Sequence, residues 1–479
     1  MPRVTLIGPH PDIPSRVARW AIVLLVAGVI WWYPVPEGVD PRGWQLLAIF
    51  AGTVTGMLLQ PLPVGALVLL ALTAAVLTRS ITVQFALSGF GTPVMWLITA
   101  AFLIARAVVH TGLGRRIALL FVSWFGSSSL KLGYALAAAD VAVAPVIPSD
   151  TARVGGVIFP ITRSLAESYD SFPGESAKKL GAYLMQCAYH VGCTTSAMFL
   201  TSMAANIVSA DLATKHAGVK ITWLGWALAS SVPALVSVLV LPVLIYWLDP
   251  PELKKTPEAQ QLAKEHLRSM GPASRNEKGL LILLTMMVLG WAAQPWHGIH
   301  PVIVAFAGLG LMVLSNVMEW DELLLERRAW DVLIWLGTLI MMADGLNTMG
   351  VIKAFTAEIG RDLQGLAWMP ALIVLVLGYT YIHYVFASMT AQITALYAAF
   401  LLLALGAGAP PMVASLVLAF FSCLNASLTH YGTAPGPIFF GAGYVTQTTW
   451  WRVGFFVVLF QLFAWLGVGL LWWKVLGLW

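Results

Sequence analysis

Apolar runs long enough to cross a bilayer recur from one end of this chain to the other, and nothing else in the sequence constrains its fold as much. A helix needs about 20 mostly apolar residues to span the hydrocarbon core. Runs of that kind fall near 17–33, 43–60, 63–82, 92–111, 179–208 and 221–248, then near 279–295, 299–317, 330–349, 394–426 and 452–475. Only 10% of the 479 residues are charged, against about 25% in soluble domains, so the charge needed to clothe a water-facing surface is missing. The pattern implies an all-α polytopic membrane protein with about eleven transmembrane helices, the first of them an uncleaved anchor following a short polar start. The formal net charge of +5 marks cytoplasmic helix ends, not a nucleic-acid surface.

Three further segments, 127–160, 366–390 and 427–445, are apolar but interrupted by Pro, Gly and Ser. Non-helical backbone survives at membrane depth only where protein or a water-filled cavity satisfies it, so these read as re-entrant hairpins or broken helices beside a pathway. One stretch is soluble in character: 249–278, with Lys254, Lys255, Lys264, Arg268, Arg275 and Lys278, reads as a cytoplasmic linker. Arg3, Arg16 and Arg19 place the N-terminus on the same side. The chain also repeats itself. The run that begins at Val94 returns at Val332, and Ser149-Asp150-Thr151 returns as Ser388-Met389-Thr390, at offsets that differ by a single residue. The division expected is a first repeat over 1–248, the linker 249–278 and a second repeat over 279–479. With an odd number of crossings in each, the repeats are inverted and share a site near the midplane.

Chemistry concentrates at the duplicated triplets. Pro145 and Pro148 break the helix before Ser149, and Ser149, Asp150 and Thr151 are N-cap residues, so a hairpin tip ends there and a helix begins. Its free N–H groups favour an anion, although a purely structural cap fits the first copy taken alone. The second copy lacks the prolines but keeps Ser388 and Thr390. From Leu363 to Trp451 there is no Asp, Glu, Lys or Arg, which leaves hydroxyls, backbone dipoles and His383 or His430 to bind anything. Asp150 and Arg153, three apart, would share a helix face, either serving transport or neutralising each other. Cys187, Cys193 and Cys423 have no metal-binding spacing, and no phosphate loop, nucleotide fingerprint or nucleophile–base cluster is present, so neither an enzyme nor a cofactor is expected.

The motif PSDTARVGGVIFP from Pro148, with HYVFASMTAQITALY and LTHYGTAPGP in the second repeat, resembles the divalent-anion/sodium symporters, whose hallmark is a duplicated Ser-Asn-Thr tip. The closest likeness is to their exchanger branch, the bacterial citrate/succinate and tartrate/succinate antiporters and the plastid 2-oxoglutarate/malate translocators. The resemblance covers nearly the whole chain. It implies eleven spans and two re-entrant hairpins in each protomer of a homodimer, working as an elevator in a bacterial plasma (inner) membrane. It places substrate contacts on Ser149, Asp150, Thr151, Ser388, Met389, Thr390, Thr433 and Pro435, and ion-binding loops on Thr201 to Asn206 and Ala434 to Pro437. Asp150 and Met389 depart from the family's Asn, and a thioether cannot replace an amide's hydrogen bonds. The expectation is therefore exchange of dicarboxylates or tricarboxylates (citrate, succinate, malate, tartrate or 2-oxoglutarate), with Arg153 and His430 as built-in positive charge and Asp150 orienting Arg153. The partners expected are these acids and membrane lipid, with no nucleic acid. The alternative is a sodium-coupled symporter of the same fold, with Asp150 on the cation.

Overall fold

The computed structural model describes residues 15–362 and 366–479. Among them there is no β-strand. Seven helices are long and apolar enough to cross a membrane: Pro93–Thr111, Trp223–Leu248, Arg327–Thr348, Trp368–Val385, Met389–Gly406, Pro411–Leu428 and Gln447–Val475. Val64–Leu77 and Pro301–Leu314 are shorter apolar helices. The chain is an all-helical, multi-pass membrane protein.

Two runs divide differently from the expected spans. The run 394–426 is two helices, because Gly408 adopts φ +82° and Pro410 and Pro411 cannot continue a helix. The run 179–208 breaks at Phe199–Met203, between the helix Gly181–Met198 and the helix Ala204–Ala217. The linker contains its own amphipathic helix, Pro257–Ser269, which packs on Leu113–Phe125 through Ala259 and Ala263. Its far end is anchored by Glu277, which closes a capping box with Ser274 and accepts from Arg116 Nε (2.7 Å) and Nη2 (3.1 Å).

Contacts divide the chain into two compact units. One joins the chain up to Gly91 to Ile334–Phe355. Within it Arg16–Trp32 packs on Pro41–Leu59, and Trp44 Nε1 donates to the Ile30 carbonyl at 2.8 Å. Gly89 lies so close to Gly337 that a Cβ there would sit 2.0 Å from the Gly337 carbonyl oxygen. The other unit, Thr92–Leu333 with Thr356–Trp479, holds both triplets. At its centre is Gly181–Met198, buried along nearly its whole length. Polar side chains stitch this interior together: Gln461 donates to Thr194 and accepts from Ser237, both at 2.7 Å, and accepts from Trp465 Nε1 at 2.9 Å. Every buried polar group satisfied in this way avoids a penalty of about 1–3 kcal/mol.

Candidate functional site: two hairpin tips

The two triplets are built alike. The first hairpin rises through Ser129–Val143, turns at Val143–Pro148 and descends from Thr151. At its tip Ser149 Oγ accepts the Ala152 N–H at 3.2 Å. The second hairpin rises through Trp368–Tyr381, and at its tip Ser388 Oγ accepts the Ala391 N–H at 3.3 Å. Each descending arm then contains a π-helical stretch, Thr151–Ile158 and Ile393–Tyr397. Such turns recur at functional sites.

The first tip is tied to the loop that follows the second hairpin. Thr433, beyond the second hairpin, hydrogen-bonds through its hydroxyl to Asp150 Oδ2, while Asp150 Oδ1 accepts the Thr151 N–H at 2.8 Å. Asp150, Met389, Thr433 and Pro435 line one small cavity with Val154, Tyr189, Gly192, Cys193 and Ser196. Its volume of about 10 Å³ has room for about one water. A larger cavity of about 360 Å³ opens on the other side of the first tip, where Ser149, Ala152 and Gly156 face Arg106, Arg327 and Arg328. Thr151, Ser388 and Thr390 line neither cavity.

Arg153 does not pair with Asp150. Its fully buried guanidinium lies 3.6 Å (Nε to Oδ1) from Asp140, and it donates to Thr195 Oγ1 at 3.1 Å and Ser196 Oγ at 2.7 Å. Thr195 in turn hydrogen-bonds to Asp140 Oδ2. The physical reason is the winding: residues three apart share a face of an α-helix, but Thr151–Ile158 is wound as a π-helix, so Arg153 turns towards Asp140 on the opposite arm of the hairpin.

His430 lies against aromatic rings. Its Nδ1 accepts the Trp451 Nε1–H at 3.1 Å, so that nitrogen carries a lone pair, and the ring stacks on Phe440 at 4.2 Å. The polar centre of the second tip is His383. Gln392 donates to the Tyr379 carbonyl at 2.6 Å, which turns its Oε1 towards His383 Nδ1 (2.6 Å) and Asn425 Nδ2 (2.9 Å). His383 Nε2 faces the Gly432 carbonyl at 3.0 Å, beside Thr433. Gln392 stands at the repeat position of Arg153, and Tyr379 at that of Asp140. The first tip therefore carries the Arg153–Asp140 ion pair, and the second a hydrogen-bond network of His383, Gln392 and Asn425.

Thr201 and Asn206 have their polar groups engaged within the protein. Thr201 Oγ1 donates to the Pro145 carbonyl (2.7 Å) and accepts from Trp223 Nε1 (2.9 Å). Asn206 Nδ2 donates to the Ser196 (2.7 Å) and Phe199 (2.9 Å) carbonyls, and its Oδ1 meets the Cys423 thiol at 3.1 Å.

With this geometry the chain can be compared with known proteins. A family model described as the sodium:sulfate symporter transmembrane region matches residues 15–479. A putative malate transporter, YflS, of Bacillus subtilis is 44% identical over 96% of this chain and 96% of its own. Chloroplastic dicarboxylate transporter 1 of Spinacia oleracea is 46% identical over 95% of this chain and 81% of its own. The solved YdaH transporter of Alcanivorax borkumensis shares the fold with a TM-score of 0.57 at 14% identity, covering 98% of this chain and 99% of that one. The duplicated tips thus belong to a transporter and not to an enzyme: the chain is a member of the sodium:sulfate symporter family, the divalent-anion/sodium symporters that its motifs resemble.

Proposed function

We propose that this protein carries dicarboxylates or tricarboxylates across a bacterial inner membrane by exchanging one for another, with its N-terminus in the cytoplasm. The observation that carries this reading is the pair of serine-capped tips whose Asp150 and Met389 line one cavity, with Thr433 bonded to Asp150. Two helix starts, each presenting the positive end of its dipole, suit the two ends of a dianion, and the relatives are named as malate and dicarboxylate transporters. The tips close on a space too small for such an acid, while Ser149 opens on the larger cavity with its three arginines. We read that cavity as the approach to the site. An elevator movement of the tips, in a homodimer of inverted repeats, is the mechanism we assign.

Exchange without sodium is favoured over symport by the groups around the tips. Thr201 and Asn206 are already bonded, and Met389 has no amide oxygen to offer a cation. The positive charge of Arg153 is fixed but balanced by Asp140, so an unpaired arginine is not what would hinder an empty return. The test is uptake of a labelled dicarboxylate into proteoliposomes, with and without internal dicarboxylate, in sodium and in choline. Exchange predicts uptake only into loaded vesicles, equal in both salts. Brisk sodium-dependent uptake into empty vesicles would establish the symporter instead.

A further inference from the structure

The mechanism above leaves one buried charge unused. Asp150 is 8% exposed and lines the small cavity between the tips, where the family's motif has a neutral Asn. The groups around it offer no compensating cation. Within its own turn, Arg153 is held by Asp140, Thr195 and Ser196. The helix Ser129–Val143 contributes Asp140, a second carboxylate. Gly181–Met198 contributes Tyr189 and Cys193, and Pro411–Leu424 contributes Cys423. Leu113–Phe125 presents Gly114 to the turn, and Pro435–Gly441 presents Ile438. Arg106, on Pro93–Thr111, lies in the outer cavity and pairs with Glu322 at 2.9 Å. His383 turns to Gln392 and Gly432, and His430 to Trp451. No Lys, Arg or His forms an ion pair with Asp150 among the described residues.

We propose that Asp150 is a proton-binding site, and that a dicarboxylate occupies the tips only when Asp150 is the neutral acid, so that each dianion travels with one proton. This rests on the dicarboxylate reading. The first ground is charge: a dianion held at the tips would lie beside Asp150, which has no ion-pair partner among the described residues, and a like charge so placed disfavours the ionised form. The second ground is the single hydroxyl proton of Thr433. With Asp150 ionised, Thr433 must donate that proton to Oδ2 and has none left for a substrate. With a proton taken from water onto Oδ2, Asp150 donates and Thr433 accepts, and the Thr433 hydroxyl proton is free to turn to a substrate carboxylate. Protonated Asp then has the donor and acceptor arrangement of the Asn it replaces. The proton is lost to water when the dianion leaves, so the cycle balances without any other reactant.

The experiment uses the full chain in proteoliposomes, with malate as substrate and a trapped pH-sensitive dye. Malate stays fully ionised from about pH 6.5 to about pH 9, so its own titration does not interfere. In the wild type, apparent affinity should fall as pH rises, with a limiting slope of about tenfold per pH unit, as one-proton linkage requires. Because each dianion carries one proton in both directions, malate–malate exchange moves no net proton: the trapped dye should stay unchanged while labelled malate exchanges, and acidification would overturn the one-proton stoichiometry. Asp150→Asn should alter the level of transport and remove the pH slope, because the amide donates to Thr433 permanently. A flat wild-type profile, a slope that survives in Asp150→Asn, or sodium replacing the proton would each overturn the site. The wild-type pH slope decides the matter even if that variant fails to insert. Failure of the wild type to move malate at any pH would instead overturn the dicarboxylate reading.

Discussion

Arg153 has no water-exposed surface and depends wholly on the acceptors around it. Removing it by Arg153→Met leaves Asp140 buried and unpaired, a defect that typically costs 3–5 kcal/mol. Replacing both members by apolar residues is often neutral for stability. Arg153→Met should therefore lower the melting temperature of the purified protein sharply, and Asp140→Leu with Arg153→Met should restore most of it. We expect the double variant to insert but not to transport, measured by counterflow. Recovery of transport along with stability would show that the pair serves folding alone. Thr433→Val is milder in structure and direct in effect. Losing a hydrogen bond to a charged group costs about 1.5–3 kcal/mol, so malate affinity should drop roughly ten- to hundredfold; wild-type affinity would remove Thr433 from the site. The first tip was readable from the sequence because Pro145 and Pro148 stop a helix before the N-cap types Ser149 to Thr151, and the second, without prolines, only as a return of that triplet. The partner of Arg153 was not, because Asp150 is close in sequence while Asp140 is brought near only by the hairpin and the π-wound arm. A carboxylate and a guanidinium in one apolar hairpin were the available signal: neither is stable there alone.

Elements bring these residues to their places, and one close approach is decisive for the second tip. The helix Gln447–Phe463 packs on the 3₁₀ turn Asn425–Leu428 through Gly454, where an added Cβ would lie 2.1 Å from the Ser427 carbonyl oxygen. Backbone must move to admit even a methyl group. Gly454→Ala should therefore displace the turn that carries Asn425, and with it the hydrogen bond to Gln392. The expected outcome is weakened substrate binding with only modest loss of yield, checked by malate binding and by size-exclusion profile. The linker anchor should behave in the opposite way. Glu277→Ala removes the partner of Arg116 and half of the capping box, so thermal stability should fall while the Michaelis constant for malate stays unchanged. Spans were legible as long apolar runs, yet 394–426 was read as one helix because composition alone does not register a turn. The Gly408-to-Pro411 punctuation that divides it was in plain view.

At the scale of the whole molecule, the number of charges crossing the membrane separates exchange from other cycles. If one loaded site goes in for each that comes out, and each dianion brings one proton, then exchange of malate for malate moves no net charge. Exchange of a fully ionised tricarboxylate for a dicarboxylate then moves one charge per cycle, provided each brings the same single proton. One elementary charge in 100 mV corresponds to about 2.3 kcal/mol, or roughly a fiftyfold change in the concentration ratio at equilibrium. A potassium diffusion potential set with valinomycin should therefore leave malate–malate exchange unaltered, while shifting the end point of citrate–malate exchange in the direction that moves negative charge towards the positive side. A potential that drives malate uptake into empty vesicles would mean that the empty site returns freely, and exchange would no longer describe the cycle.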